Sequence, residues 1–196
     1  MKGIICCDID DSLVRFDGEI GVWKRYNGKE TRLTSDEFAK DPDRERPGVE
    51  YDFREFEDPK IARDSIIRGT PLIGNLRIVD QYLDKGFDFA FLTARSQEDV
   101  VTEAIADFMR HNVNGELRPL GRKFQRTLSY AVSDPKYMEV LDGLTSWERK
   151  ARVLKWISED YDEVVFLDDD FNNLEAARNL RLPNLTVIKA LHENQT

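Results

Sequence analysis

Three groups in the 196-residue sequence carry side chains able to do chemistry: Cys7-Asp8-Ile9-Asp10-Asp11-Ser12, Thr93-Ala94-Arg95 and Asp168-Asp169-Asp170. Each follows a short apolar run, respectively Gly3 to Cys7, Phe87 to Leu92 and Val164 to Leu167. Runs this continuous read as parallel strands buried on both faces. In an open parallel sheet the carboxyl ends of the strands line one crevice, so residues far apart in sequence converge there. Several carboxylates in one crevice repel one another unless they are protonated or neutralised. A hard cation held by oxygen ligands, Mg²⁺ above all, is the natural solution, and it would in turn recruit phosphate.

The elements that must hold these groups are legible on either side of them. Thr127 to Val132 and Leu185 to Ile188 are weaker strand candidates that would complete a five-stranded sheet. Thr70 as N-cap and Pro71 as first helical residue predict a helix, with Leu72, Leu76, Val79 and Leu83 on one face and Gly86 as its stop. A second helix is expected from Ser96, with Asp99 as capping partner and Val101, Ile105 and Phe108 inward. The capping box Thr145-Ser146-Trp147-Glu148 predicts a third, with Trp147, Ala151, Leu154 and Ile157 as its core stripe. A fourth follows Asn173, with Leu174, Ala177 and Leu180 inward. At 100° per residue Lys150 falls inside the stripe of the third helix. A lysine there either meets something anionic, such as the carboxylates or a bound phosphoryl group, or snorkels out of a core face. Strands alternating with helices imply an α/β, doubly wound, Rossmann-like fold in a single domain spanning residues 1–196.

Residues 14–69 break the alternation. Gly21 to Thr34 reads as a hairpin turning at Asn27-Gly28, a flap after the first strand. From Asp36 to Asp58 there are ten acids and four bases, with Pro42 and Pro47-Gly48 as breakers, and this stretch reads as a loop-rich excursion. The hairpin carries Lys24, Arg25, Lys29 and Arg32 with Trp23 and Tyr26 between them. That mixture fits either an anionic, stackable substrate or an ordinary solvated hairpin, and Arg118, Arg122, Lys123 and Arg126 carry the same ambiguity. His111 and His192 stand alone and take no role.

The whole chain has 40% hydrophobic, 10% aromatic and 34% charged residues, the composition of one globular domain. Its net charge of −9 argues against a sequence-independent grip on nucleic acid. The six crevice aspartates and the Asp36–Asp58 stretch together carry −12, however, which leaves +3 elsewhere and keeps a phosphorylated or nucleic-acid substrate open. Cys6 and Cys7 are neighbours in an apolar run, a poor geometry for bridging, which points to core residues in a reducing compartment. No run approaches the ~20 apolar residues of a membrane span, and no signal peptide is evident, so a cytoplasmic location is expected.

This order of elements resembles the haloacid dehalogenase-like (HAD) superfamily of phosphohydrolases. Its first motif, an apolar strand followed by DxDx[TSV], matches Ile4-Ile-Cys-Cys-Asp8-Ile-Asp10-Asp-Ser12. Its second, a strand ending in Thr or Ser, matches Phe89-Ala-Phe-Leu-Thr93. Its third, a lysine near a helix start, fits Lys150, with Arg149 and Lys155 as the other candidates. Its fourth, a strand followed by DD, matches Val164-Val-Phe-Leu-Asp168-Asp169, and Asn173 stands where a further aspartate is commoner. The likeness covers roughly residues 1 to 14 and 70 to 190.

The resemblance implies a Mg²⁺-dependent phosphomonoester hydrolase in which Asp8 attacks phosphorus and becomes a transient aspartyl phosphate. Asp10 would act as general acid and then base, and its backbone carbonyl would ligate the metal. Thr93 and the Ala94 amide would hold phosphoryl oxygens, and Lys150 would offset charge. Asp8, Asp10, Asp168 and Asp169 would form the metal site. Superfamily dehalogenases lack the second aspartate, so Asp10 favours phosphate chemistry. The insertion is smaller than a typical full cap domain, so the site is expected to be open enough for a bulky or polymeric substrate. A phosphorylated small molecule such as a nucleotide, or a polynucleotide end, is the favoured partner.

Other readings stand beside this one. Asp8, Asp10, Ser12 and Glu19 sit at EF-hand positions, but Leu13 occupies the position that demands glycine. A phosphorelay receiver would normally place its phosphoacceptor after a later strand. Arg95 is open between a structural ion pair and a substrate phosphate or base contact. The alternative from another class is a catalytically silent HAD-like module used for binding or assembly.

Overall fold

The structure, a computed structural model, describes residues 2–16, 20–34, 37–38, 40–44, 46–111 and 127–191. In chain order its elements are β1 (Gly3–Cys7), β2 (Val14–Arg15), β3 (Gly21–Tyr26), β4 (Lys29–Thr34), β5 (Glu50–Asp52), α1 (Arg54–Glu57), α2 (Pro59–Arg68) and β6 (Thr70–Pro71). There follow α3 (Ile73–Asp84), β7 (Asp88–Thr93), α4 (Glu98–His111), β8 (Thr127–Ala131), a 3₁₀ turn (Pro135–Tyr137) and α5 (Met138–Leu141). The last elements are α6 (Ser146–Asp160), β9 (Glu163–Asp168), α7 (Phe171–Asn179) and β10 (Leu185–Lys189). The cluster Arg118, Arg122, Lys123 and Arg126 lies outside the described residues, as do Glu19 and His192.

Five strands form one parallel sheet in the order β10-β9-β1-β7-β8. Helices flank it on both sides, as the unbroken apolar strands require. On one face Ile5, Cys7, Phe89, Phe91 and Val165 pack with Leu76 and Val79 of α3 and Val101, Ile105 and Phe108 of α4. On the other, Ile4, Cys6, Leu92 and Phe166 pack with Val153, Leu154 and Ile157 of α6 and Ala177 of α7. The fold is thus Rossmann-like α/β. Both cysteines are free and buried, and burial pushes both thiols above their usual value, which keeps them inert.

Three helix starts differ from those the sequence predicts, and Trp147 differs in burial. Thr70 and Pro71 do not open a helix: they pair antiparallel with Arg15 and Val14, and α3 starts at Ile73 with Leu72 at its cap. A ladder that needs extended backbone at Thr70 overrides its capping preference. α4 starts at Glu98 because Gln97 takes a positive φ of 60°, which breaks the turn Ser96 would have capped. α7 starts at Phe171, capped by the Asp170 side chain, so Asn173 lies in its first turn. The Thr145–Glu148 capping box is present, but Trp147 in the first turn is 37% exposed and stands outside the core stripe.

Between β1 and α3 the chain leaves and returns through the β2–β6 ladder and builds a second sheet, β4-β3-β5. The β3–β4 turn at Asn27-Gly28 has φ of 50° and 74°, the left-handed pair that a two-residue hairpin requires. The stretch read as a loop-rich excursion therefore also contributes a strand, β5, and helix α1. Its acids pair with the hairpin's bases: Lys24 bonds Asp41 and Asp43 at 2.9 and 2.7 Å and Arg32 meets Glu55 at 2.7 Å, while Arg25 pairs within the hairpin with Glu30 at 2.7 Å. Arg46 and Arg54 cover the Tyr26 and Trp23 rings at 4.6 Å each. Lys24, Arg25, Arg32, Trp23 and Tyr26 of the hairpin are thus engaged internally. Helix α2 rests on α4, where Arg63 meets Asp107 at 2.6 Å. Asn75, fully buried on α3, donates to the carbonyls of Ser12 (2.7 Å) and Leu191 (3.1 Å) and accepts from the Leu191 amide (2.8 Å).

Glu55 joins α1 to the hairpin by accepting from the Gly21 amide at 2.8 Å and from Trp23 Nε1 and Arg32 at 2.7 Å. The Arg32 hydrogen bonds, reinforced by those from Gly21 and Trp23, overcome partial burial and hold its carboxyl at about 2. A carboxyl lowered in the folded state stabilises above its ordinary pKa of 4.5 and loses that contribution as pH falls through about 2. In a Trp147→Phe, Trp156→Phe background, Trp23 emission is therefore expected to change between about pH 4.5 and 2, and in Glu55→Gln that transition should be absent. An identical acid transition in Glu55→Gln would contradict this assignment.

Candidate functional site

The sheet's strand order reverses at β1, with β7 and β8 on one side and β9 and β10 on the other. Crevices at the carboxyl ends of such reversals are where ligands bind in doubly wound folds. Pairing of Cys7 with Leu167 sets the register there. The next residues, Asp8 and Asp168, therefore leave adjacent strands at the same level, about one strand spacing of ~4.8 Å apart.

The chain after Asp8 turns tightly, with the Ile9 carbonyl accepting from the amides of Leu13 and Val14 at 3.0 Å each. Asp11 takes a φ of 54° in this turn, a conformation aspartate tolerates better than most residues. Within it the Asp10 carboxylate bonds the Arg95 side chain. Two carboxylates two residues apart thus acquire separate partners.

Lys150 reaches from the first turns of α6 into the crevice. Its Nζ lies 2.8 Å from Asp8 Oδ1 and 2.8 Å from Asp168 Oδ2, and all three residues are buried. Arg149 instead points to Ser133 Oγ at 3.4 Å, and Lys155 is exposed. Asp168 is fixed further by Asn173 Nδ2 at 3.0 and 3.1 Å and by the Asp170 amide at 2.9 Å. Asp169 accepts from Ser12 Oγ at 3.1 Å.

Asp8, Asp168 and Asp169 each offer an oxygen within 4.8 Å of the others. One ammonium faces these three carboxylates. Burial alone would lower Lys150, but Asp168 and Asp8 outweigh it and hold the amine above its usual value, hence charged. Burial pushes Asp8 above the ordinary carboxylate range against the pull of Lys150, with further upward pushes from Asp168, Asp10 and Asp169. Asp169 is raised to about 7 by burial and by Asp168 and Asp11, and Ser12 only partly offsets this. The cluster is short of positive charge, and its donor set of hard carboxylate oxygens fits a hard divalent cation.

The second motif approaches from the other side. Thr93 is fully buried and its Oγ1 accepts from the Arg95 amide at 3.2 Å. Arg95, only 4% exposed, grips Asp10 through Nε (2.9 and 3.2 Å) and a terminal nitrogen (2.7 Å). Its remaining nitrogen donates to the Ala62 carbonyl and Ser65 Oγ of α2 at 3.1 and 3.2 Å. Of the two readings of Arg95, the geometry has the ion pair, and that pair ties Asp10 to the segment between β1 and α3. Asp10, unlike Asp8, keeps its carboxylate out of the three-oxygen cluster.

A pocket of about 600 Å³ opens from Asp10, Ala94 and Ser133 at the strand ends towards Phe38, Phe53 and Phe56. Asp8, Lys150, Asp168 and Asp169 gather at one end of the crevice, and Asp10, Ala94 and Arg95 line this pocket beside it. Sequence reasoning gave Ser12 and Asn173 no role as partners of Asp169 and Asp168, although both lie inside the quoted motifs. It missed the three phenylalanines entirely, because they sit in the stretch read as acidic loop. Comparison of the chain with models of protein families and with curated proteins gave no match.

Replacing Lys150 by methionine keeps much of the side-chain volume and leaves two buried carboxylates facing each other uncompensated. The expected cost at neutral pH is about 3–5 kcal/mol of unfolding free energy. Urea titration measures it, and the loss should shrink as lower pH protonates the pair. A loss below about 1 kcal/mol at neutral pH would contradict a buried ammonium between Asp8 and Asp168.

Proposed function

We propose that the protein is a Mg²⁺-dependent phosphomonoester hydrolase of the haloacid dehalogenase-like type, working through an aspartyl phosphate on Asp8. The observation that carries this reading is the buried Asp8 carboxylate at the strand-order reversal, 2.8 Å from Lys150 and within 4.8 Å of the Asp168 and Asp169 oxygens.

With Asp8 Oδ1 engaged by Lys150, Oδ2 is the oxygen left to form a bond to phosphorus. As it does so, the bond from phosphorus to the leaving alcohol oxygen breaks, and Asp10 gives that oxygen its proton. Water then attacks the same phosphorus and passes a proton to Asp10, and the bond between phosphorus and Asp8 breaks to release phosphate. The Arg95 grip fixes the orientation of Asp10 for both transfers. Thr93, whose oxygen already accepts from the Arg95 amide, has its hydroxyl proton left for a phosphoryl oxygen. Asp8, Asp168 and Asp169, with the Asp10 carbonyl, would hold magnesium, which when bound supplies the positive charge that lets a phosphate dianion approach.

A second reading, a catalytically silent module of the same type, draws on the full commitment of the Asp10 carboxylate to Arg95. Hydrolysis of p-nitrophenyl phosphate and capture of beryllofluoride separate the two. The hydrolase requires Mg²⁺, loses turnover in EDTA and falls by at least about 10³-fold in Asp8→Asn. Undiminished turnover in Asp8→Asn overturns the mechanism, and absence of both turnover and Mg²⁺-dependent beryllofluoride binding establishes the silent module.

A further inference from the structure

The 600 Å³ pocket lies within the 300–1,000 Å³ span of small-molecule sites. Its two ends differ in chemistry. At the strand ends it presents Asp10, Ala94 and Ser133, whereas the far wall is aromatic. Phe38 and Phe53 meet edge to face at 5.4 Å and 88°, and Phe53 and Phe56 at 6.1 Å and 63°. Phe53 remains 42% exposed, a large apolar surface that folding leaves uncovered beside the crevice.

Arg44 lines the same wall, its guanidinium 4.5 Å from the Phe38 centroid. Lys24, Arg25, Arg32, Arg46 and Arg54 all pair with acids of this segment. Arg44 makes no ion pair among the described residues, although it belongs to a stretch with ten acids. A guanidinium held over one aromatic ring and lining the pocket is a surface on which a second planar ring can also stack.

Charge narrows the occupant further. Once Asp10 has given up its proton it balances Arg95, and the lining as a whole holds three acids, Asp10, Asp11 and Glu57, against two bases, Arg44 and Arg95. A wall with that balance repels additional phosphates. An unbranched aliphatic alcohol would leave the phenylalanine faces unfilled, whereas a planar ring can stack against them, worth about 1–3 kcal/mol by analogy with base stacking on aromatic side chains.

We infer that this pocket takes the leaving group of the reaction, and that this group is a planar aromatic ring system carrying no further phosphate, as in a nucleoside monophosphate. The inference rests on the hydrolase reading for the position of the phosphate and on the pocket alone for the ring. It disfavours polynucleotide ends, whose adjoining phosphodiesters would enter a lining with more acids than bases.

The test compares adenosine 5′-monophosphate with glycerol 1-phosphate in Mg²⁺, and separately measures binding of adenosine to the Asp8→Asn protein by calorimetry. The nucleotide is expected to be preferred at least tenfold in kcat/KM. Phe53→Ala and Phe56→Ala should each reduce that preference at least threefold and weaken adenosine binding, with the unfolding midpoint as control for folding. Equal use of the two esters, preference for a 3′-phosphorylated oligonucleotide, or adenosine binding indifferent to both variants overturns the inference while leaving the hydrolase intact. If no phosphomonoester is turned over but adenosine binds through Phe53 and Phe56, the hydrolase reading falls and the pocket assignment stands.

Discussion

One ammonium between two carboxylates from different strands sets the geometry of the crevice. Lys150 is 2% exposed, and its burial is tolerable only because Asp8 and Asp168 both accept from it at 2.8 Å. The converse also holds, since without that cation two carboxylates about a strand spacing apart would repel in a medium that screens poorly. The contact therefore links α6 to β1 and β9 electrostatically, where apolar packing alone would allow the helix to slide. Asn173, Ser12 and the Asp170 amide complete the arrangement by fixing which oxygen faces which neighbour.

A second ion pair plays a different part. Arg95 holds Asp10 and reaches α2 through Ala62 and Ser65, so the core crevice and the segment between β1 and α3 share one buried guanidinium. Any shift of α2 relative to β7 is felt at Asp10. The segment in turn rests on α4 and leaves the core through the short β2–β6 ladder, which restricts its motion at the base.

Much of this was legible before any coordinates, for identifiable reasons. Strands buried on both faces leave continuous apolar runs, so β1, β7 and β9 stand out in the sequence, whereas the edge strands β8 and β10, only partly buried, leave a fainter trace, and the Thr145–Glu148 capping box marks α6 unambiguously. Asn27-Gly28 specifies its hairpin because few other pairs accept two positive φ angles. Helical phase put Lys150 on the core face of α6, where it is found. What stayed hidden depends on pairing at long range. Thr70-Pro71 looks like a helix start until Val14 and Arg15 arrive as ladder partners. The aromatic wall exists only because β5 docks on β3 and brings Phe53 and Phe56 close to Phe38. No local periodicity marks such a surface, and the surrounding acids, whose partners are the hairpin's own bases, conceal it.

The position of β1 has a consequence for how the molecule comes together. This strand lies at the centre of the sheet, yet its partners β7 and β9 come roughly 80 and 160 residues later in the chain. During synthesis both of its hydrogen-bonding edges stay open while the hairpin segment emerges, and one edge stays open until β9 has been made. Asn75 then secures the loop after β1 only when Leu191, beyond the last strand, has arrived. Native pairing of the central strand thus waits until β9, about 160 residues on, has been made, which makes closure of long loops, rather than any local helix, the slow entropic step. An apolar strand with unpaired edges is also a ready template for wrong partners during that interval, so β1 is where misassembly of this protein would begin.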